Sequence, residues 1–474
     1  MKSLLTAIIP ARTIKFAQQQ ITNVEKQTDL LELRLDYLEH PSLTALQAIV
    51  ACTRLPYILT LRNKTQGGFF SGDEDTRLQL IKELLKANPD YIDIEMDVAN
   101  EFIAEIEQLA PSTKIICSFH DFNATPADLA AILKQMLHPA VTVYKIVTKA
   151  NSSLDSLRMM HFVKQYAVAH NVVGHCMGPD GFFSRLAGAI VGNTFTYAAS
   201  GDGTLVVSHQ ATLQTLREIY YLHQKNRYTK LFALLGDPIT FSVGHEFHNK
   251  RFAENNINAL YIKIRLRDSE LTTFFANITT LPFVGFSVTM PLKKAVLPYV
   301  KNCSGLPAVN TLVVKEDTIT AFNTDGIGAL DAIEDIIQVK GRSVLVLGAG
   351  GAATAIVQTA WQRGANISIV NRSLKNSEKI ARQFPCEVID FSLLPTKHYD
   401  LVINTLPITV YQQPVLVNWL KNVLRQGPIV MDVNYNCDNN LLLDLCQEFN
   451  CITIRGEKMF VNQAIAQCNY WQVY

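Results

Sequence analysis

The sequence predicts an α/β chain in two halves: a (β/α)8 barrel, then a two-lobed half whose second lobe is a doubly wound sheet. Three observations carry this. The 474 residues exceed what one hydrophobic core usually organises, so two or three domains are expected. Up to about residue 220, short apolar runs alternate with helical patterns, the rhythm of a β/α repeat. Far downstream, the apolar, β-branched run 343–347 ends in Gly348-Ala349-Gly350-Gly351-Ala352 and continues as a helical pattern, which reads as strand, tight turn and helix of a βαβ unit.

In chain order, the strand-like runs of the first half are 4–9, 30–35, 57–61, 91–96, 114–119, 141–147 and 172–176, with a possible eighth near 204–207. Their number and length match a barrel. An open sheet gives a similar rhythm, but polar residues recur at the ends of many different strands, where barrel sites are built. The polar, basic stretch between Leu216 and Lys230 marks a junction near Asn226. A new strand, 231–235, opens the second half. The expected organisation is a barrel over 1–225, a substrate lobe over 226–325, a nucleotide lobe over 326–450, and a segment over 451–474 that returns to the substrate lobe.

Composition excludes several function classes. Hydrophobic content is 48% and charged content 18%, an ordinary globular balance, and 43 basic against 42 acidic residues leave a net charge of +1. Bulk electrostatics therefore favour neither nucleic acid nor a membrane surface. No window approaches the roughly 20 apolar residues of a membrane span. The apolar N-terminal run is cut short by Pro10 and Arg12, so it reads as a first strand and not as a signal peptide. Nine scattered cysteines, without Cys-x-x-Cys pairs or histidines at zinc spacing, suggest reduced thiols, no metal and a cytoplasmic location.

The glycine-rich turn carries the first functional signal. Gly348 would permit the tight turn, Gly350 would let backbone N–H groups approach a pyrophosphate, and the helix N-terminus would add partial positive charge. Where NAD sites place an acidic residue for the ribose hydroxyl, this chain has Asn371, Arg372, Ser373 and Lys375. A guanidinium and a hydroxyl suit a 2′-phosphate, so NADP is favoured. The alternative is an ordinary strand-to-helix turn.

In the first half, Lys145 has hydrophobic residues on both sides, in Val-Tyr-Lys-Ile-Val. Inside a barrel, desolvation would favour the neutral, nucleophilic amine; a lysine facing outward is the alternative. His120 falls just past the preceding strand, a position for a general acid and base. Glu32-Leu-Arg34-Leu-Asp36 alternates so that its three charges share one strand face. Arg62 and Arg185 follow other strands, and arginines at several strand ends fit an anionic substrate, although each has a salt-bridged surface role as its alternative.

Taken in order, Glu32-x-Arg34-x-Asp36, Arg62-x-x-x-x-Gly67-Gly68, Asp93-Ile-Glu95, His120-Asp-Phe, Lys145 and Met177-Gly-x-x-Gly-x-x-Ser-Arg185 resemble type I 3-dehydroquinate dehydratase over nearly all of residues 1–215. The resemblance implies that Lys145 forms an imine with the C3 ketone of 3-dehydroquinate. His120 then takes the C2 proton and helps expel the C1 hydroxyl, giving 3-dehydroshikimate. Glu32, Arg34, Arg62 and Arg185 hold the hydroxyls and the carboxylate. Two positions depart from the family pattern: Gln66 stands for a glutamate that supports the histidine, and Thr204 for a lid glutamine.

The second half offers Gly236 to Asn249, then Ser287-Val-Thr289-Met-Pro-Leu-Lys293, Asn310-Thr-Leu and Asn323-Thr-Asp325. Lys293 and Asp325, both expected in loops after strands, make a pair for proton transfer at a carbonyl receiving hydride; a structural ion pair is the alternative. From Leu231 onward this half resembles shikimate dehydrogenase. That resemblance implies Lys293 and Asp325 as the catalytic pair and Ser242, Thr289, Asn310 and Gln463 as shikimate ligands. It also implies Asn404, in the loop beside the nicotinamide, and Gly456, opening the C-terminal segment, as cofactor contacts. Gly244 and Ser287 depart from the family's serine and asparagine.

The two implied activities are consecutive, since dehydration makes the ketone that NADPH then reduces. The expectation is a bifunctional enzyme of the shikimate pathway, acting on small molecules as a monomer or homodimer, with no nucleic-acid or membrane partner. The competing readings are a metabolite-sensing homologue, motivated by Gln66, Thr204 and Gly244, and a quinate dehydrogenase in the second half. No helix-turn-helix or zinc module is visible for a sensor's output.

Overall fold

The computed structural model describes residues 3–98, 100–201, 211–303, 305–390, 397–407, 414–435 and 440–473. The chain divides into two compact units, Met1–Phe283 and Val284–Tyr474.

The first unit begins with β1 (Leu4–Ile9), β2 (Leu30–Arg34), β3 (Tyr57–Thr60), β4 (Tyr91–Glu95), β5 (Lys114–Asp121), β6 (Val141–Lys149), β7 (Val172–Met177) and β8 (Phe195–Ala199). Neighbours pair in parallel in the order β7-β6-β5-β4-β3-β2-β1-β8. The two ends meet where the Thr194 N–H donates to Val172 O at 2.9 Å. Helices follow most strands, as a right-handed parallel repeat requires. Their starts are written locally: Thr13, Ser42, Asp73 and Asp128 each accept a first-turn N–H, satisfying donors the helix cannot.

Alternate residues of each strand point inward. One interior layer is apolar, built from Ile8, Leu30, Ile58, Ile116, Val143, Val173, Phe195 and Tyr197. Two residues further along the same strands come Glu32, Thr60, Ser118, Lys145 and His175, so the interior turns polar toward the C-terminal strand ends. The eighth strand lies at Phe195–Ala199, upstream of the run expected near 204–207, which falls outside the described residues together with Thr204. The earlier run supplies Phe195 and Tyr197 to the interior.

The first unit also holds β9 (Lys230–Gly236) and β10 (Ala259–Arg265), a parallel pair. The boundary between the compact units thus falls inside the stretch 226–325, because polar contacts tie β10 and residue 280 to the barrel.

In the second unit, β11 (Phe283–Val288), β13 (Thr311–Lys315) and β14 (Thr318–Phe322) run antiparallel, with β12 (Lys301–Asn302) parallel to β14. A second sheet contains β15 (Ser343–Leu347), β16 (Asn366–Val370), β17 (Glu387–Ile389), β18 (Leu401–Asn404), β19 (Ile429–Asp432) and β20 (Thr453–Ile454). Its parallel order, β17-β16-β15-β18-β19-β20, reverses between β15 and β18. That is a switch point of the kind where doubly wound sheets bind ligands. One of its faces packs Val344, Val346 and Ile369 under Ile356 and Ile333; the other packs Leu345, Leu347 and Val402 under Leu420. Such two-sided burial explains strands that read as continuous apolar runs.

Among the described residues the eight cysteines are free. No helix there is long and apolar enough to cross a membrane, and no group of three or more His, Cys, Asp or Glu residues is arranged to hold a metal.

Candidate active sites

At the polar end of the barrel, a pocket enclosing about 870 Å³ of space, open solvent included, is lined by Glu32, Arg34, Arg62, His120, Lys145 and Arg185 among others. All six residues expected from the sequence therefore line one cavity. Lys145, buried on β6, lies 3.1 Å from Glu32 Oε1 and 2.9 Å from Asp93 Oδ2, with its ammonium 4.2 Å from the centroid of the Tyr197 ring. The expectation of a lysine among apolar neighbours is corrected here. The flanking residues are apolar, but the alternation of β2 and β4 points two carboxylates at the amine.

Asp93 is the hub. Its Oδ2 also meets Arg62 Nη2 at 2.8 Å, and its Oδ1 accepts from Ser118 Oγ at 2.6 Å. Burial by itself raises the Asp93 carboxyl, yet Arg62 and Lys145 outweigh it and hold the group well below the usual carboxylate range. Arg62, expected to hold substrate, spends its terminal nitrogens on Asp93, Ser118 and Glu95. It is the counter-charge to Asp93 and Glu95. Asp36 does not continue the strand face. A short turn at Leu35–Tyr37 brings it back to Arg34, which it grips with two bonds of 2.9 and 2.7 Å while accepting from the Phe69 N–H.

His120 lies within β5 and not past it. Burial first, then Arg62 and Lys145, push its imidazole well below the ordinary histidine value, so it is neutral and able to take a proton. Among the described residues its buried Nδ1 has no hydrogen-bond partner, and neither has the buried Oε1 of Gln66. Arg185, on the helix Phe182–Val191, donates to Tyr197 O at 2.9 Å. No ion pair joins it to any described carboxylate, and burial lowers its guanidinium to about 10. Glu32 offsets only part of that burial, and a buried cation with no ion pair among the described residues suits an anion brought by a ligand.

Sequence reasoning gave no role to Asp93, Ser118, His175 or Tyr197. Asp93 and Glu95 carry a signal, since Asp-Ile-Glu puts both acids on one face of β4. Tyr197 carries none, because its strand was not recognised.

The second unit brings together most of the other set. Lys293 Nζ is 2.5 Å from Asp325 Oδ2, and Asp325 Oδ1 accepts from Asn310 Nδ2 at 2.8 Å. Gln463 Oε1 lies 3.4 Å from Thr324 Oγ1 and 3.5 Å from Asn310 Nδ2. Lys293 and Asp325 are not in loops, as expected, but in the helices Leu292–Ala295 and Asp325–Glu334. At the first position of its helix the Asp325 carboxylate faces the positive end of the dipole. Gln463 arrives on the helix Gly456–Trp471, which binds the substrate-lobe strands through Ser287 to Gln467 and Trp471 to Leu312 O. Ser287 is therefore occupied internally. Thr289 lies in the turn after β11, where its carbonyl accepts from Leu292 N–H. Ser242 belongs to the first unit, in the loop after β9, where its Oγ accepts from the Gly244 N–H at 3.3 Å.

The turn after β15 fits a dinucleotide phosphate. Gly348 has φ +104°, and a Cβ there would lie 2.4 Å from Thr405 Oγ1, whereas a Cβ on Gly350 would meet nothing within 4 Å. Gly350 therefore borders open space at the start of the helix Gly351–Gln362, which has no side-chain cap. Ala349 packs partly against the core of the sheet, and Ala352 is half-buried in the first turn of that helix. Arg372, Ser373 and Lys375 are exposed at the end of β16, and Asn371 donates to Ser373 O. Asn404 is the exception. It is fully buried, donates to Asp432 and Leu406 O, and accepts from the Leu406 N–H, so its side chain shapes the loop instead of meeting a ligand. Gly456 is tightly packed, and a Cβ there would lie 2.6 Å from Asn434 O.

Comparison with known proteins matches three successive stretches of the chain. The description "Type I 3-dehydroquinase" matches residues 6–227, "Shikimate dehydrogenase substrate binding domain" 234–312, and "Shikimate / quinate 5-dehydrogenase" 331–425. The shikimate biosynthesis protein AroDE of Chlamydia pneumoniae is 31% identical over 475 residues, covering 99% of this chain and 95% of that protein. The chloroplastic bifunctional 3-dehydroquinate dehydratase/shikimate dehydrogenase of Arabidopsis thaliana is 28% identical over 510 residues, covering 99% of this chain and 84% of that protein. The shikimate dehydrogenase (NADP(+)) of Pyrococcus furiosus is 33% identical over 254 residues, 52% of this chain and 91% of that protein.

Proposed function

This chain belongs to the family of bifunctional shikimate biosynthesis proteins, and from that premise we propose that its barrel converts 3-dehydroquinate to 3-dehydroshikimate and its second half reduces that ketone to shikimate with NADPH. One observation carries the first reaction: a lysine held between two carboxylates, a neutral imidazole and Arg185, which has no ion pair among the described residues, line a single pocket.

Lys145 Nζ, after giving up a proton, attacks the C3 carbonyl, and loss of water leaves an iminium. His120 removes the C2 proton, and the electron pair becomes the enamine. The C1–O bond then breaks, with His120 returning the proton to the departing hydroxyl. Water attacks the conjugated iminium and frees Lys145. Glu32, Asp93 and Arg62 balance charge around the nitrogen as it alternates between amine and cation. Arg185 and Arg34 take the carboxylate and hydroxyls. Arg62 acts through Asp93, and Gln66 leaves His120 without an anionic neighbour at that position.

In the second half, the turn Gly348–Ala352 takes the pyrophosphate and Arg372, Ser373 and Lys375 the 2′-phosphate. NADPH, when bound, supplies the hydride. Lys293 gives a proton to the carbonyl oxygen while Asp325, fixed by Asn310, aligns the ammonium. Asn310, Gln463 and Thr289 hold the ring hydroxyls and carboxylate. We assign the domains as 1–225, 226–325 and 326–450, with 451–474 completing the substrate lobe. The free thiols suit a reducing cytoplasm.

Two assays on the purified chain test this: enone absorbance from 3-dehydroquinate without cofactor, and NADPH oxidation with 3-dehydroshikimate. Lys145→Ala is expected to abolish the first and spare the second, and Lys293→Ala the reverse. A parent chain that reduces but does not dehydrate would leave the barrel as a binding domain and favour the sensor reading.

A further inference from the structure

The loop between β7 and the helix Phe182–Val191 forms one wall of the barrel pocket, contributing Gly178 and Phe182, and one turn later the helix presents Arg185. The loop is sharply folded. Gly178 has φ +85°, and a Cβ on Gly181 would lie 2.3 Å from Met177 O. Its tip is Asp180, a buried carboxylate. The partner of that carboxylate is Arg265, the last residue of β10, beyond the barrel. Arg265 Nε and Nη2 reach the two Asp180 oxygens at 2.9 and 2.6 Å, a side-on pair. Arg265 O in turn accepts from Ser153 Oγ, and Ser156 Oγ, on the same barrel helix, donates to Asp180 O at 2.8 Å. The arginine is anchored on its own side as well: it stands in register with Gly236, whose carbonyl accepts from the Leu266 N–H at 3.0 Å.

We propose that Arg265, a residue of the reductase half, is a positioning residue for the dehydratase pocket. By clamping Asp180 it holds the loop that sets Phe182 and Arg185 against the substrate. This rests on the dehydratase reading and adds that affinity for 3-dehydroquinate depends on the fused second module. A bidentate pair with a fixed backbone on both sides restricts rotation as well as distance. Small displacements of a substrate-holding arginine are felt directly in binding.

The test uses the full-length chain with Arg265→Ala, Arg265→Lys, Asp180→Asn and the double variant Arg265→Ala/Asp180→Asn. Arg265→Ala and Asp180→Asn are each expected to raise KM for 3-dehydroquinate about two- to fivefold, the scale of a partly exposed ion pair, with kcat little changed. Arg265→Lys recovers part of the loss, and the double variant is no worse than either single one, because both remove one interaction. Asp180→Asn is expected to leave shikimate oxidation unchanged. Single variants with the parent's KM, or a double variant whose losses add, would overturn the proposal. A parallel fall in kcat, KM performance and reductase activity would also overturn it, by revealing a general folding role. A parent chain without dehydratase activity would instead refute the dehydratase reading, a separate and recognisable outcome.

Discussion

Replacing Arg185 by methionine separates binding from folding, because the two effects have opposite signs. Burial lowers the guanidinium from 12.5 to about 10 even with Glu32 opposing. At about 1.36 kcal/mol per decade this corresponds to roughly 3 kcal/mol of uncompensated desolvation. Methionine removes that cost and keeps most of the reach. It also leaves Tyr197 O without its donor, a loss of about 1 kcal/mol. The net expectation is a substrate-free barrel about 2 kcal/mol more stable, melting roughly 4–8 °C higher for a unit of this size. Substrate binding moves the other way. Losing a charge-assisted contact to a carboxylate, at about 1.5–3 kcal/mol, lowers kcat/KM by about 10- to 150-fold. The loss falls mainly in KM, since the carboxylate does not react. Calorimetric melting without ligand and the enone assay read the two effects on one preparation. A variant that melts lower and keeps its KM would refute the reasoning, because Arg185 would then be a strut for β8 and not a substrate ligand.

Three other perturbations follow from the same geometry. Gln66→Glu places a carboxylate in the pocket of a histidine held well below its ordinary value. An opposite charge favours the imidazolium, so the acid limb of the dehydratase pH profile is expected to move up by about one pH unit; an unmoved limb would mean that residue 66 does not sense His120. Arg372→Ala is expected to raise KM for NADPH about five- to tenfold, as loss of an exposed charge-assisted contact, and to leave the weaker use of NADH unchanged; equal losses with both cofactors would contradict a 2′-phosphate contact. His245 is pushed down to about 4 by burial and then by Lys263. The unfolded chain therefore takes up a proton near pH 6.5 that the folded chain refuses, and stability falls as pH drops from 6.5 toward 4, by up to about 3 kcal/mol. His245→Phe should flatten the decline in melting temperature between pH 7 and 4.5, and an unchanged slope would point to another group.

Much of this protein was legible in the residue order, because the physics involved is local. A β-branched run between helical patterns has few folded outcomes, and seven of the eight barrel strands lie where such runs occur. Gly348 needs a backbone conformation that other residues resist, so the turn after β15 is written in the chain. Lys145, His120 and Arg185 stand out through their place on strands or beside glycine turns. Other features depend on residues far apart in sequence. Asp93 becomes the hub of the first site only when β3 to β6 lie side by side, putting Arg62, Ser118 and Lys145 around one carboxylate. The same closure turns Arg62 from a free cation into a bound one, and burial of Asn404 beside Asp432 turns a presumed ligand into a loop brace. β8 was missed because Phe-Thr-Tyr-Ala-Ala is too short and mixed to read as a strand, and only the barrel's need for an eighth neighbour between β1 and β7 reveals it. Alternation and turn chemistry act over a few residues, and so the sequence determines the elements and the identity of the reactive groups. Charge pairing and burial act across space, and so the tertiary structure decides which of those groups are free to meet a substrate.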